Sequence, residues 1–183
     1  MKLVDAIKHT MSVRDAQYPS GKVVDLKVRY VHWNKQFYVQ AQVRSASNPS
    51  KYYKTQIVFN GVQSSPKRTR QHTLKYIDID GSTIWIERPN MNHHILTRDT
   101  CEDFRFMWHW ELADRKALLG PRIPYTPVPG SNRPPKNPDE IPGICKHVLA
   151  VLKAMMGSKI RLLRRDTFLL NYLNRKRKRE RQF

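Results

Sequence analysis

Cys145-Lys146-His147 places a thiol and an imidazole two residues apart, just after Pro142-Gly143. The tripeptide opens a stretch with helical apolar spacing, in which Val148, Leu149 and Leu152 share a face. At the mouth of a helix the first turn is not yet locked into helical spacing, so both side chains can turn toward one ion. Zinc accepts thiolate and imidazole in a tetrahedral shell. A second candidate cluster, Asp99-Thr100-Cys101, falls on the turn between a strand ending near Thr97 and a helix starting near Asp103. Cys101 and Cys145 are the chain's two cysteines. A secreted disulfide scaffold would carry more, at closer spacing, whereas two thiols suit free or metal-bound roles.

The elements that must position these residues follow from the hydrophobic period. Residues 2–17 set Leu3, Ala6, Ile7 and Met11 on one stripe, which predicts an amphipathic helix stopped by Tyr18-Pro19-Ser20-Gly21. From 22 to 97 the period is two. Val24, Leu26, Val28 and Tyr30 alternate with polar residues, then Phe37, Val39, Ala41 and Val43, and Tyr52 to Phe59 reads as a third strand. Strands over 74–79 and 82–87 are joined by Asp80-Gly81, a strong hairpin signal, and 93–97 is a further strand. Residues 60–72 form a polar, basic loop. Over 102–119 the pattern is helical, with Phe104, Trp108, Leu112 and Leu119 on one face and Gly120-Pro121 at its end. Residues 121–143 hold Pro124, Pro127, Pro129, Pro134, Pro135, Pro138 and Pro142, which excludes a helix or a central strand. A helix over 144–156 aligns Val148, Leu152 and Met155, and a last helix over 161–175 runs into a basic tail. The fold class expected is α+β, with segments 1–97, 98–157 and 158–183 in one compact unit. Helical spacing reads Phe104, Phe106, Trp108 and Trp110 as core rather than base-stacking residues, and Trp33 and Trp85 on strands read the same way.

Together the two clusters resemble the SWIM zinc finger, Cys-x-Cys followed at a variable distance by Cys-x-His, with two strands and a helix around one zinc. Cys101-Glu102-Asp103-Phe104 is similar to the family's Cys-x-Asp-Phe, and Pro142-Gly143-Ile144-Cys145-Lys146-His147 to its Cys-Lys-His segment. The resemblance covers about residues 84–156, with a long insertion between its halves. Asp99 stands where the family has its first cysteine. The resemblance implies one structural zinc held by Asp99, Cys101, Cys145 and His147, since zinc also takes carboxylate oxygen. His93 or His94 would substitute for Asp99. In a decayed site the thiols would instead be small buried hydrophobes and His147 a hydrogen-bonded helix residue. A broader resemblance rests on Asp103-Phe104-Arg105-Phe106, Pro124-Tyr125, Arg133-Pro134-Pro135-Lys136-Asn137-Pro138 and the Cys-Lys-His segment. It is to small virion proteins of tailed bacteriophages that carry a SWIM-like finger. That similarity implies a structural part of a capsid, neck, tail or baseplate. Other virion proteins would be its partners, and the host cytoplasm its place before assembly.

Charge bears on partners. Lys and Arg number 34 against 15 Asp and Glu, a net charge of +19. Such a surplus suits phosphate, where cations displace condensed counterions, or an acidic neighbouring subunit. The strongest block, Arg175, Lys176, Arg177, Lys178, Arg179 and Arg181, reads as an interaction arm, extended onto the last helix by Lys159, Arg161, Arg164 and Arg165. No recognition helix or stacking platform announces itself, so DNA contact is expected without sequence preference. With a mean hydropathy of −0.67 and no apolar run near about 20 residues, no membrane span is expected. Met1-Lys2-Leu3-Val4-Asp5 carries charge where a signal peptide's apolar segment would begin, so no secretion signal is expected either.

Catalytic motifs are absent. Asp78 and Asp80 flank a turn, Glu102 and Asp103 start a helix, and no Gly-rich phosphate loop or nucleophile elbow occurs. Four protein ligands would also close a zinc site against substrate. The expectation is a non-enzymatic binding and structural protein. An intracellular nucleic-acid-binding zinc-finger regulator is the alternative, separable by sequence selectivity.

Overall fold

The computed structural model describes residues 1–13, 20–77, 81–123, 137 and 139–157. Helix α1 (Leu3–Val13) is followed by strands β1 (Lys22–Val31), β2 (Gln36–Arg44), β3 (Tyr52–Asn60), β4 (Ser64–Ser65), β5 (His72–Ile77), β6 (Thr83–Glu87) and β7 (His94–Asp99). A π-helical turn over Phe104–Trp108 leads into α2 (His109–Asp114), and α3 (Lys146–Gly157) comes last among the described residues. The arrangement is α+β, with mixed helices and antiparallel sheets.

Alternation places one side of the larger sheet, ordered β1-β2-β3-β7, against the core. The register sets Val28 beside Val39 and Ile57, and Tyr30 beside Phe37, Phe59 and Ile95. All of these side chains are buried. Helix α3 lies across all four strands and buries Val148, Val151, Leu152 and Met155. At about 25 cal/mol per Å² of apolar surface, this sandwich of sheet and helix is the dominant stabilising term. A second sheet, ordered β4-β6-β5, adds Leu74, Tyr76 and Ile86 to the same core, with Tyr76 edge-on to Tyr30 at 5.9 Å.

Several elements differ from their sequence reading. The 60–72 loop contains β4, whose pairing with β6 makes the small sheet three-stranded. Strand β7 runs on to Asp99 instead of stopping near Thr97. In α1 the buried stripe is Leu3, Ala6 and Thr10, while Met11 is exposed. Thr10 is buried because its hydroxyl accepts the Ile144 N–H at 2.8 Å and donates to the Ala6 carbonyl at 2.8 Å. Trp33 is 69% exposed, since it sits on a 3₁₀ turn (His32–Asn34) between β1 and β2 rather than on a strand.

The helix expected over 102–119 stops at Asp114, and Leu119 leaves the face shared by Phe104, Trp108 and Leu112. The cause is the open edge of β7. Residues 117–119 leave the helix to pair there, with Thr97 N–H donating to Ala117 at 2.9 Å and Leu119 N–H to Thr97 at 3.0 Å. An unpaired edge strand would otherwise leave those polar groups bare. The start of the chain covers the other end of that edge through Ile95 N–H to the Met1 carbonyl at 2.9 Å. Asp78 and Asp80, most of the Pro-rich stretch, the expected last helix and the basic tail lie outside the described residues.

Candidate metal centre

The period of β7 fixes the first member of the site. Ile95, Thr97 and Asp99 share the inner face, so Asp99 points into the core and is 5% exposed. Its cross-strand neighbour Thr55 donates its hydroxyl to Asp99 Oδ2. Asp99 Oδ1 accepts the backbone N–H of Cys101 at 2.7 Å, a two-residue Asx turn that folds the chain back over the sheet. Cys101 Sγ then accepts the Phe104 N–H at 3.3 Å as the helical segment begins.

The other two members arrive from α3. Pro142, Gly143 and Ile144 thread between α1 and the helical segment before Cys145. A Cβ at Gly143 would lie 2.6 Å from the Trp108 indole and 2.8 Å from Thr10 Oγ1, so only glycine passes there. Cys145 is fully buried and accepts the Leu149 N–H on its carbonyl at 3.1 Å, the first turn of α3. His147 stacks on Tyr53, ring centroids 4.4 Å apart and planes inclined by 25°. On another side it meets Gly21, whose φ of +93° and contact with Arg44 both demand glycine.

Asp99, Cys101, Cys145 and His147 thus converge from β7, the turn after it and the N-terminus of α3. All four are buried, and one ligand atom from each lies within 4.8 Å of every other. Corners of a zinc tetrahedron stand about 3.3–3.8 Å apart for bonds of about 2.0–2.3 Å, so contraction by about 1.5 Å or less would close the shell. His147 Nδ1 lies 3.6 Å from Asp99 Oδ1, too far for a hydrogen bond, and is a buried nitrogen without a partner. Two thiols, a carboxylate and an unpartnered imidazole nitrogen are the donor set that zinc takes, and the residues present fit such an ion.

The electrostatics point the same way. Hydrogen bonding from Cys145 holds the Cys101 thiol below its usual range, against the effect of burial. Burial pushes the Cys145 thiol well up, helped by Cys101 and Asp99. Burial opposes charge on His147, yet Asp99 and Cys101 outweigh it and raise its pKa to about 9. The pocket therefore favours positive charge at its centre, supplied by a proton where no metal ion is bound.

His93 and His94 lie outside this cluster. His93 Nε2 meets Glu87 Oε1 at 2.8 Å and its Nδ1 accepts the Asn90 N–H at 3.0 Å. His94 is exposed at the far end of β7, five residues from Asp99, or about 16 Å along a strand. The basic residues Lys159, Arg161, Arg164, Arg165, Arg175, Lys176, Arg177, Lys178, Arg179 and Arg181 lie outside the described residues. Thr55, Tyr53, Gly21 and Gly143 support the site without any sequence motif of their own; only the pairing of β3 with β2 and β7 brings in the first two.

No protein-family model, curated protein or solved structure matches the chain.

Proposed function

We propose that Asp99, Cys101, Cys145 and His147 hold one structural zinc ion in a degenerate SWIM-like site, within a non-enzymatic binding protein. The observation that carries this reading is the convergence of four buried donor atoms within 4.8 Å, one of them an unpartnered imidazole nitrogen. Bound zinc would supply the cation that the carboxylate and thiolates attract. Asp99 and Cys101 would hold it from the sheet side, Cys145 and His147 from the helix side. Thr55 orients the carboxylate, Tyr53 and Gly21 orient the imidazole, and the packed core excludes water. Four protein donors leave no open position for a substrate.

The tie spans a loop of 43 residues between the cysteines. Its Pro-rich middle is unsuited to ladder hydrogen bonding, so a cross-link at its two ends stabilises most. With the phage resemblance and the charge of +19, the reading is a virion scaffold. It docks on neighbouring subunits, and its basic C-terminal arm lies against packaged DNA or an acidic partner. Purified protein should carry about one zinc per chain and co-sediment with particles of its source. A zinc-free protein would remove the finger. A zinc-bound protein absent from particles, but selective for one DNA sequence by about a thousandfold or more, would turn the reading to a regulator.

A further inference from the structure

The small sheet presents a face that neither the core nor the metal centre uses. Leu74, Tyr76 and Ile86 point inward, so the alternate positions Lys75, Ile77, Thr83 and Trp85 point outward. Register aligns Ser65, Trp85 and Lys75 in one row across β4, β6 and β5. The β4–β5 loop brings Lys67, Arg68 and Arg70, all exposed, to the edge of this row. Arg68 sets its guanidinium over the Trp85 ring, 5.5 Å from the centroid. Residues 61–77 contain four Lys or Arg and no Asp or Glu. None of these four cations pairs with a carboxylate among the described residues. Glu87, the acid of β6, is engaged by His93 and by the Gln63 N–H.

The turn bearing Trp33 borders the same sheet. His32 Nδ1 lies 3.3 Å from Ser64 Oγ, and the Lys35 carbonyl accepts the Val62 N–H at 2.9 Å. One indole, Trp85, and an uncompensated set of cations thus share the outer face of the small sheet.

We propose that the outer face of β4-β6-β5 binds single-stranded nucleic acid, with Trp85 as the stacking platform and Lys67, Arg68, Arg70 and Lys75 on the phosphates. A single strand is favoured because a stacking ring needs an unstacked base, and a sheet surface bears no helix to enter a duplex groove. The Arg68–Trp85 pair suits this occupant in particular. A planar base can lie on the ring or against the guanidinium plane, with cation–π attraction added to stacking. This surface shares no residue with the metal centre.

Binding of the full chain to a short fluorescent oligothymidylate, followed by anisotropy at several salt concentrations, tests the assignment. A Lys67→Ala, Arg68→Ala, Arg70→Ala, Lys75→Ala variant is compared with a control in which Lys2, Lys8, Lys22 and Arg115 become Ala. Both sets remove four exposed charges, so net charge is matched. We expect the first variant to lose at least about tenfold more affinity than the control. The slope of log affinity against log salt should fall by about 3, from four contacts at about 0.7 each. A Trp85→Leu variant should lose about tenfold with little change of slope. Equal losses in the two quadruple variants would overturn the proposal. So would a folded Trp85→Leu protein that binds like its parent, since the face would then attract any polyanion. Should that variant fail to fold, the two quadruple variants, altered only at exposed positions, decide the matter.

Discussion

Each end of β7 carries a carboxylate beside an imidazole, and the two ends differ in what they leave undone. At the His94 end, His93 has both ring nitrogens engaged, one by Glu87 and one by the Asn90 N–H. That pair is complete as it stands. At the Asp99 end, the carboxylate is used by Thr55 and Cys101, while His147 Nδ1 is buried without a partner beside two thiols. The same two functional groups, carboxylate and imidazole, therefore make a closed structural contact in one place and a cation-seeking pocket in the other. Buried polar groups are normally satisfied, so of these two imidazoles the unsatisfied one, His147, is the informative one.

The contrast is broken most severely by Cys145→Ser, which removes a thiolate donor. Zinc should be lost, and with it the closure of the 43-residue loop. A covalent cross-link of that span is worth about 4 kcal/mol on the chain-entropy model. For a chain of this size, that loss corresponds to a fall of roughly 10 °C in Tm by calorimetry. A Tm and a metal content both equal to the parent's would break the comparison.

Proton competition distinguishes the two states of the pocket. In the metal-free protein the His147 pKa is raised from 6.5 to about 9. Its contacts with Asp99 and Cys101 then add stability that is fully present below 6.5 and lost as pH rises through about 9. Zinc needs the deprotonated ligands, so its affinity should instead rise with pH across the same window. Denaturant melts with and without a chelator, at several pH values, should show trends of opposite sign.

Thr55→Val should act more gently. It keeps the shape of the strand but takes a hydroxyl donor from the buried Asp99, which costs about 1–3 kcal/mol. Zinc affinity should fall with stability, as read by competition with a chromophoric chelator. Smallest of all is Glu87→Gln at the other end of β7. An amide can still bond His93, so stability should change by about 1 kcal/mol or less and zinc content not at all. A loss of zinc in that variant would mean that the two ends are not independent.

Much of this was legible in the sequence because local periodicity encodes it. The alternation through Phe37, Val39, Ala41 and Val43 gives β2, and the spacing of Val148, Leu152 and Met155 gives α3. The Cys145-Lys146-His147 and Asp99-Thr100-Cys101 clusters point to the same four donors that the fold brings together. What was hidden depends on pairing at a distance. Thr55 joins the site through the register of β3 on β7, and Gly143 is required by the Trp108 ring packed against it. The premature end of the 102–119 helix follows from an edge strand that needed partners, and Trp33 left the core because its turn closes a β1–β2 hairpin. The outward row of Trp85 and Lys75 was masked in the same way, since β4 shows no strand signal of its own.

X-ray absorption at the zinc edge tests the metal centre most directly. We expect a four-coordinate ion with two sulfur neighbours at about 2.3 Å and two nitrogen or oxygen neighbours at about 2.0–2.1 Å, falling to one sulfur or to no zinc in Cys145→Ser. A first shell without sulfur, or a folded protein that takes up no zinc at all, would contradict it.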